Sequence, residues 1–275
     1  MCRLLGYLGP PVHLDRLLYK PEHSLIVQSY QPLEMTAGLL NADGFGLGWY
    51  HAHQFTDPFT YKNTLPIWND TNLSQLSRFV ESGCVLANVR SATPGLSVDL
   101  SNCQPFGHDR ILGVHNGFIE NFRQTLYRPL RDRLSDEAYE GVQGLTDSEH
   151  IFALLRDALR STPAPSLAEA LQNTLELLLE MAQAKCAGVS ANLILSDGDH
   201  LVASRFASRS EPCSADAQSL PPTPAPTLYW LRDDPLFPNA VLIASEPMFS
   251  GDWVTFPERS ILTTSRDLDV KILPF

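Results

Sequence analysis

The sequence predicts a layered α+β domain. Three observations lead there. Short β-type runs punctuated by Gly and Asn fill the first half of the chain, two amphipathic helical stretches occupy the middle, and the β pattern returns after Gly188. Strands, then helices, then strands suit stacked layers around a shared core. With 275 residues, 44% of them hydrophobic, the chain can bury a substantial core, and we read residues 2–275 as one domain.

Residues 39–50, LLNADGFGLGWY, read as a turn feeding a strand, and residues 84–90, CVLANVR, as a strand followed by the loop SATPG. Residues 111–115, ILGVH, read as a strand ending at Asn116-Gly117, a strong turn signal. Ile151, Leu154, Leu155, Ala158 and Leu159 recur at helical spacing over 148–160, with Thr146 or Asp147 as N-cap. Thr162-Pro-Ala-Pro breaks that helix. Ser166 then caps a second one, whose apolar face is Leu167, Leu171, Leu175, Leu178 and Leu179. ANLILSDG and HLVASRF predict a hairpin around Asp197-Gly198. The polar, proline-rich segment at about 208–227 reads as an exposed loop, and two strands follow near 240–245 and 260–264.

The net charge of −11 disfavours phosphate backbones and anionic lipid, so neither nucleic acid nor a membrane surface is expected as partner. No apolar run reaches transmembrane length, and the N-terminus lacks a secretory pattern, which makes the cytoplasm the default expectation. The five cysteines form no C-x-x-C pair, so neither a zinc site nor a disulfide framework is expected; Cys84, Cys103, Cys186 and Cys213 read as small hydrophobes or inert thiols. His51 and His53 share a strand face but lack a third ligand, and no metal or other cofactor is expected. A homo-oligomer is compatible with the sequence, which does not specify one.

Cys2 carries the first chemical signal. Removal of Met1 would leave a residue bearing both a thiol and a free α-amine. That amine, with an ordinary pKa near 7.7–8.0, is a built-in base for acyl transfer. Read alone, the other candidates have plainer explanations: Arg90 as a surface ion pair, Asn116-Gly117 as a hairpin turn, Asp147 as a helix cap, and Asn41-Ala-Asp-Gly44 as a simple turn.

Together they form a pattern. Met-Cys-Arg-Leu-Leu-Gly-Tyr at the start, Asn41-Ala-Asp-Gly-Phe-Gly-Leu-Gly-Trp49, Arg90-Ser-Ala-Thr93, His115-Asn-Gly117 and Thr146-Asp-Ser-Glu149 occur in that order. The series resembles the class II glutamine amidotransferase family of N-terminal-nucleophile hydrolases. The resemblance implies a four-layer αββα sandwich. It also implies that Cys2 attacks a γ-glutamyl carbonyl, with Asn116 and the Gly117 N–H as oxyanion hole. Arg90 would hold the substrate α-carboxylate and Asp147 its α-ammonium; Thr93 and His115 complete the implied substrate-binding set. Two family positions differ, being Ser91 and Pro94 here, which places the expected departure on the leaving-group side.

Within the family, the start Met-Cys-Arg-Leu-Leu-Gly-Tyr-Leu-Gly, Leu25-Ile-Val-Gln-Ser-Tyr30, Ala87-Asn-Val-Arg-Ser-Ala-Thr93 and Ala244-Ser-Glu-Pro247 resemble the ergothioneine-biosynthesis amidohydrolases. That implies a small-molecule substrate, γ-glutamyl-hercynylcysteine S-oxide, hydrolysed to glutamate and hercynylcysteine S-oxide. Tyr30, Phe45 and Trp49 are the aromatic candidates for meeting its trimethylammonium group. No Walker-type loop appears, and the chain reads as a stand-alone hydrolase. The alternatives are a general glutaminase or γ-glutamyl hydrolase, or an ammonia-donating amidotransferase subunit of another pathway.

Overall fold

The computed structural model describes residues 1–35, 38–51, 57–93, 95, 97–208 and 225–275. Its strands are β1 (Arg3–His13), β2 (Phe45–Trp49), β3 (Phe59–Asn63), β4 (Glu81–Val89), β5 (Phe106–His108), β6 (Ile111–Ile119), β7 (Val189–Ser196), β8 (His200–Arg205), β9 (Ala207–Ser208), β10 (Tyr229–Asp234), β11 (Phe237–Ala244), β12 (Val254–Thr255), β13 (Ser260–Ser265) and β14 (Lys271–Pro274). Helices α1 (Leu14–Leu18), α2 (Leu25–Tyr30) and α3 (Leu73–Phe79) belong to the first part of the chain. Helices α4 (Phe122–Thr125), α5 (Tyr127–Arg133), α6 (Asp136–Glu140), α7 (Asp147–Leu159) and α8 (Leu167–Gln183) belong to the middle.

Two antiparallel sheets result. The first runs β12-β10-β11-β1-β4-β2-β3, and the second runs β14-β13-β8-β7-β6-β5, with β9 beside β7. Three apolar clusters define four layers. Leu14, Leu17, Leu18, Leu25 and Leu73 of α1–α3 cover the outer face of the first sheet, against Leu5, Tyr7, Val85 and Leu242. Leu4, Leu8, Leu86, Leu112, Val114, Ile194, Val241 and Ile243 interdigitate between the sheets. On the far side, Ile151, Phe152 and Leu155 of α7 and Leu171, Leu175 and Leu178 of α8 cover Ala191, Leu193 and Leu195. This is the expected αββα sandwich. Strand β1 is buried on both faces, which is why it reads as a near-continuous apolar run rather than an alternating one.

The helix signals translate directly. Thr146 is the N-cap of α7 and its side chain accepts from Glu149 N–H, so Asp147 is the first helical residue rather than the cap. Ser166 and Glu169 form a reciprocal capping box on α8. The Asn116-Gly117 turn expected after residue 115 does not exist: β6 continues to Ile119 and pairs Asn116 with Asn192 and Gly117 with Ala191. Here Gly serves close approach instead of a turn, since a Cβ on Gly117 would lie 1.9 Å from the Ser190 carbonyl oxygen. Gly46 on β2 has the same meaning, because a Cβ there would lie 2.0 Å from Gln104 O. The 99–105 segment is thereby pressed against the first sheet.

Two further expectations change. Cys186 is disulfide-bonded, not a lone thiol. Of the 208–227 segment, residues 209–224 and with them Cys213 lie outside the described residues, as do His53 and Pro94. Its described end is not exposed: Ala225 and Pro226 are buried, and their carbonyls accept from Arg205 and Asn192. Among the described residues no helix is long and apolar enough to cross a membrane.

Candidate functional site

Strand alternation builds the site. Leu4 and Leu8 face the inter-sheet layer while Leu5 and Tyr7 face outward, so Cys2 belongs to the inter-sheet face at the start of β1. By the same parity Leu86 carries Asn88 and Arg90 inward on β4, Val114 carries Asn116 inward on β6, and Ile194 carries Asn192 inward on β7. The rungs Arg3↔Val89 and Leu4↔Asn88 put Cys2 beside Arg90. The rung Asn116↔Asn192 sets the corresponding end of the second sheet. Hydrogen bonds tie the two ends together. Leu4 N–H donates to Ser245 Oγ at 2.9 Å, Thr227 Oγ1 donates to Ser245 O at 2.9 Å, and Asn192 Nδ2 donates to Pro226 O at 2.8 Å. The apolar inter-sheet layer therefore ends in a polar set: Cys2, Asn88, Arg90, Asn116 and Asn192.

Cys2 is half-buried, with Sγ 3.9 Å from Ser91 O. Met1 precedes it, so the Cys2 nitrogen is a peptide amide here, and burial holds the Met1 terminal amine below its ordinary pKa. Arg90 is not the surface ion pair its sequence position alone suggests. It is 4% exposed, and among the described residues no carboxylate lies within ion-pair distance. Its Nη1 donates to Asp43 O at 3.2 Å, its N–H to Gly44 O, and Asp43 carboxylate receives Ala92 N–H at 2.8 Å. The Asn41–Gly44 turn thus braces Arg90 and the chain after it.

The edge of β6 is more informative. Glu120 N–H donates to Gly188 O, which makes the even-numbered rungs the hydrogen-bonded pairs and turns the N–H groups of His115, Gly117 and Ile119 away from β7. Side chains fill two of them. Gln104 Oε1 accepts from His115 N–H at 2.5 Å, and Asp147 Oδ2 accepts from Ile119 N–H at 2.8 Å. Among the described residues nothing accepts from Gly117 N–H. Beside it, Asn116 is 1% exposed and neither its Nδ2 nor its Oδ1 has a partner. Two donors stand unspent next to each other, a costly arrangement unless a ligand uses them.

Asp147 Oδ1 also accepts from Ser148 N–H at 2.8 Å and lies 3.3 Å from Ser148 Oγ, while Oδ2 has Ile119 N–H as its one donor among the described residues and keeps a free acceptor site. Thr93 is exposed on the loop after β4. His115 is the residue that the structure does not bring to the gap. Its ring lies on the α7 side of the sheet, 2% exposed, with Nδ1 2.8 Å from Ser148 Oγ and Nε2 3.3 Å from Ser190 O. A carbonyl only accepts, so Nε2 carries the proton; burial, partly offset by Asp147, holds the ring pKa below its ordinary value. His115 supports the site through its backbone rather than lining it.

Several polar residues were not found from sequence. Asn88 is fully buried with both amide atoms unpaired, and Asn192 Oδ1 is unpaired too. An Asn within an apolar strand was the available signal in both cases. Arg3, next to Cys2, is fully buried with its Nε 3.2 Å from Glu246 Oε1. Glu246 also receives His23 Nε2 at 2.7 Å and the N–H groups of Leu33 and Glu34. Burial pushes its carboxyl pKa up, but His23, those two N–H groups and Arg3 outweigh it and hold the group below its ordinary value.

Comparison with known proteins shows the family and the fold. The family "Glutamine amidotransferases class-II" matches residues 22–212. The probable glutamine amidotransferase DUG3 of Saccharomyces cerevisiae is 30% identical over 97% of this chain and 82% of its own length. The γ-glutamyl-hercynylcysteine sulfoxide hydrolase of Mycobacterium tuberculosis is 38% identical over 44% of this chain, and the match spans 50% of that protein. A class II glutamine aminotransferase domain protein from Silicibacter pomeroyi has the same fold, with a TM-score of 0.68, 24% identity and coverage of 100% of this chain and 99% of its own. The chain belongs to the class II glutamine amidotransferase family, whose members are glutamine amidotransferases and amidohydrolases.

Proposed function

We propose that the chain hydrolyses γ-glutamyl amides, with Cys2 as nucleophile once Met1 is removed. The observation that carries this reading is the pair of unspent donors, Asn116 Nδ2 and Gly117 N–H, at the end of the inter-sheet layer that also holds Cys2. The freed α-amine takes the thiol proton. Sulfur then bonds to the γ-carbonyl carbon, and the oxygen, now negative, is met by the two donors. As the C–N bond breaks, the amine returns its proton to the leaving nitrogen, and water hydrolyses the thioester to glutamate. Arg90, buried and with no carboxylate at ion-pair distance among the described residues, holds the glutamyl α-carboxylate; Asp147 holds the ammonium, and Thr93 stands on the adjoining exposed loop.

For the leaving group we favour γ-glutamyl-hercynylcysteine sulfoxide, on the strength of the 38% identity to hydrolases of that name. Phe45 is fully buried in the outer core and so meets no ligand, and Trp49 packs against the same core on the face away from Cys2. Tyr30 is 46% exposed and forms an edge contact with Trp68 at 5.8 Å, and it remains the aromatic candidate for a quaternary ammonium. The nearly full-length likeness to the yeast protein supports a second reading, with glutamine itself as donor.

The deciding experiment is glutamate release by the Met1-processed protein, comparing the sulfoxide with glutamine. Preference for the sulfoxide, with Tyr30→Ala raising KM on that substrate alone, is the expected outcome. Equal or better turnover of glutamine selects the second reading. Cys2→Ala should abolish both activities, and substantial residual turnover would remove the mechanism.

A further inference from the structure

A cleft of about 710 Å³ opens between β3, β5 and α7, away from Cys2. We propose that it binds a small organic oxyanion. Lys62 and Arg156 both line it. Among the described residues neither makes a contact ion pair. Arg156 is 9% exposed, its Nε has no partner, and its Nη2 lies 3.0 Å from His108 Nε2. Arg160 approaches the same His108 nitrogen at 3.1 Å, so two guanidinium groups converge there. Arg160 forms contact ion pairs with Glu137 and Asp109; among the described residues Arg156 forms none and meets those carboxylates only at longer range. The Lys62 ammonium rests 5.6 Å from the centroid of the Phe106 ring.

The carboxylates in the cleft are already committed. Glu149 receives Gln143 N–H at 2.8 Å and Gly144 N–H at 2.6 Å, and Asp99 receives Ser101 N–H and Oγ. What the cleft offers a ligand is the Lys62 ammonium and the unpartnered Arg156 Nε in a partly apolar setting, since Leu100, Phe106 and Phe152 share the lining. An oxyanion on an organic body fits that chemistry. One chain segment links the cleft to the Cys2 centre. Asp99, Leu100 and Ser101 line the cleft, while three residues further on Gln104 holds His115 N–H. A ligand there presses on the segment that frames the oxyanion donors.

The test is calorimetric titration of the full chain, at constant ionic strength, with citrate and separately with inorganic phosphate. Saturable one-to-one binding of either probe is expected, weakened about tenfold or more by both Lys62→Met and Arg156→Gln. Tighter citrate binding identifies a carboxylate ligand; tighter phosphate binding identifies a phosphoryl one. Lys62 lies on an edge strand, so Lys62→Met keeps the test valid if Arg156→Gln fails to fold. Cys2→Ala should bind the probe as the parent does, which separates this site from the proposed catalysis. Absence of saturable binding by both probes, or binding indifferent to both substitutions, overturns the proposal.

Discussion

A thiol is only as useful as its surroundings allow, and three cysteines of this chain show the contrast. Cys84 is buried and hydrogen-bonded to Ser196, and burial pushes its pKa up to about 12. Cys103 is buried as well, and desolvation again raises its pKa. Cys2 alone of the three reaches solvent. Brief treatment with iodoacetamide near neutral pH should therefore alkylate Cys2 and spare Cys84 and Cys103, as read by peptide mapping. Comparable rates at all three would contradict the accessibility argued for the nucleophile. Asn116 offers the complementary residue-scale test. Its amide is buried without a partner, so Asn116→Ala removes no hydrogen bond from the folded state. We expect kcat to fall about 10²–10³-fold with KM and the melting temperature little changed. A fall in stability of similar weight would mark Asn116 as a scaffold residue.

The N-terminus of α7 and the edge of β6 form the element on which this site depends. Asp147 has two duties: its oxygens accept from Ile119 and Ser148 N–H, and in our reading it also meets the substrate ammonium. Thr146, one residue earlier, only caps the helix. The two can be separated. Thr146→Ala should cost about 1 kcal/mol of stability and leave KM alone. Asp147→Asn keeps one of the two backbone contacts at a similar stability cost, but removes the charge, and should raise KM about tenfold or more. Matching KM values for the two variants would confine Asp147 to a structural role. These elements also show what the sequence could and could not say. The caps and leucine stripes of α7 and α8 are local, so Thr146, Ser166 and the apolar spacing were readable. Asn116-Gly117 was misread as a turn because local turn chemistry competes with pairing to residues more than seventy positions away. The site residues came from motif order. Asn88 and Asn192 escaped because their meaning appears only when the strand faces are known, and Gly117 N–H only when the ladder phase is known.

For the whole molecule, the same burial that builds the site makes stability depend on pH. His115, beneath α7, and His150, on α7 against the rings of Phe122 and Tyr127, are both buried, 2% and 0% exposed. Desolvation is the largest influence on each, and both have pKa values held below 6.5. The unfolded chain, with ordinary histidines, binds these protons first as pH falls. Stability is therefore complete above about pH 6.5 and declines below it until the folded-state values are passed. Each group can contribute a slope of at most about 1.4 kcal/mol per pH unit. Glu246 acts later: its carboxyl is held below 4.5, so its contribution is intact above that pH and is lost as pH falls through the lower folded-state value. Urea denaturation at pH 7.5, 6.5 and 5.5 should show a falling midpoint with an unchanged m-value, most steeply in the last interval. His115→Gln, which cannot take up the proton, should flatten part of that decline while lowering stability at pH 7.5. A midpoint independent of pH over this range would mean that the two imidazoles are solvated, and that the packing around α7 is looser than the structure shows.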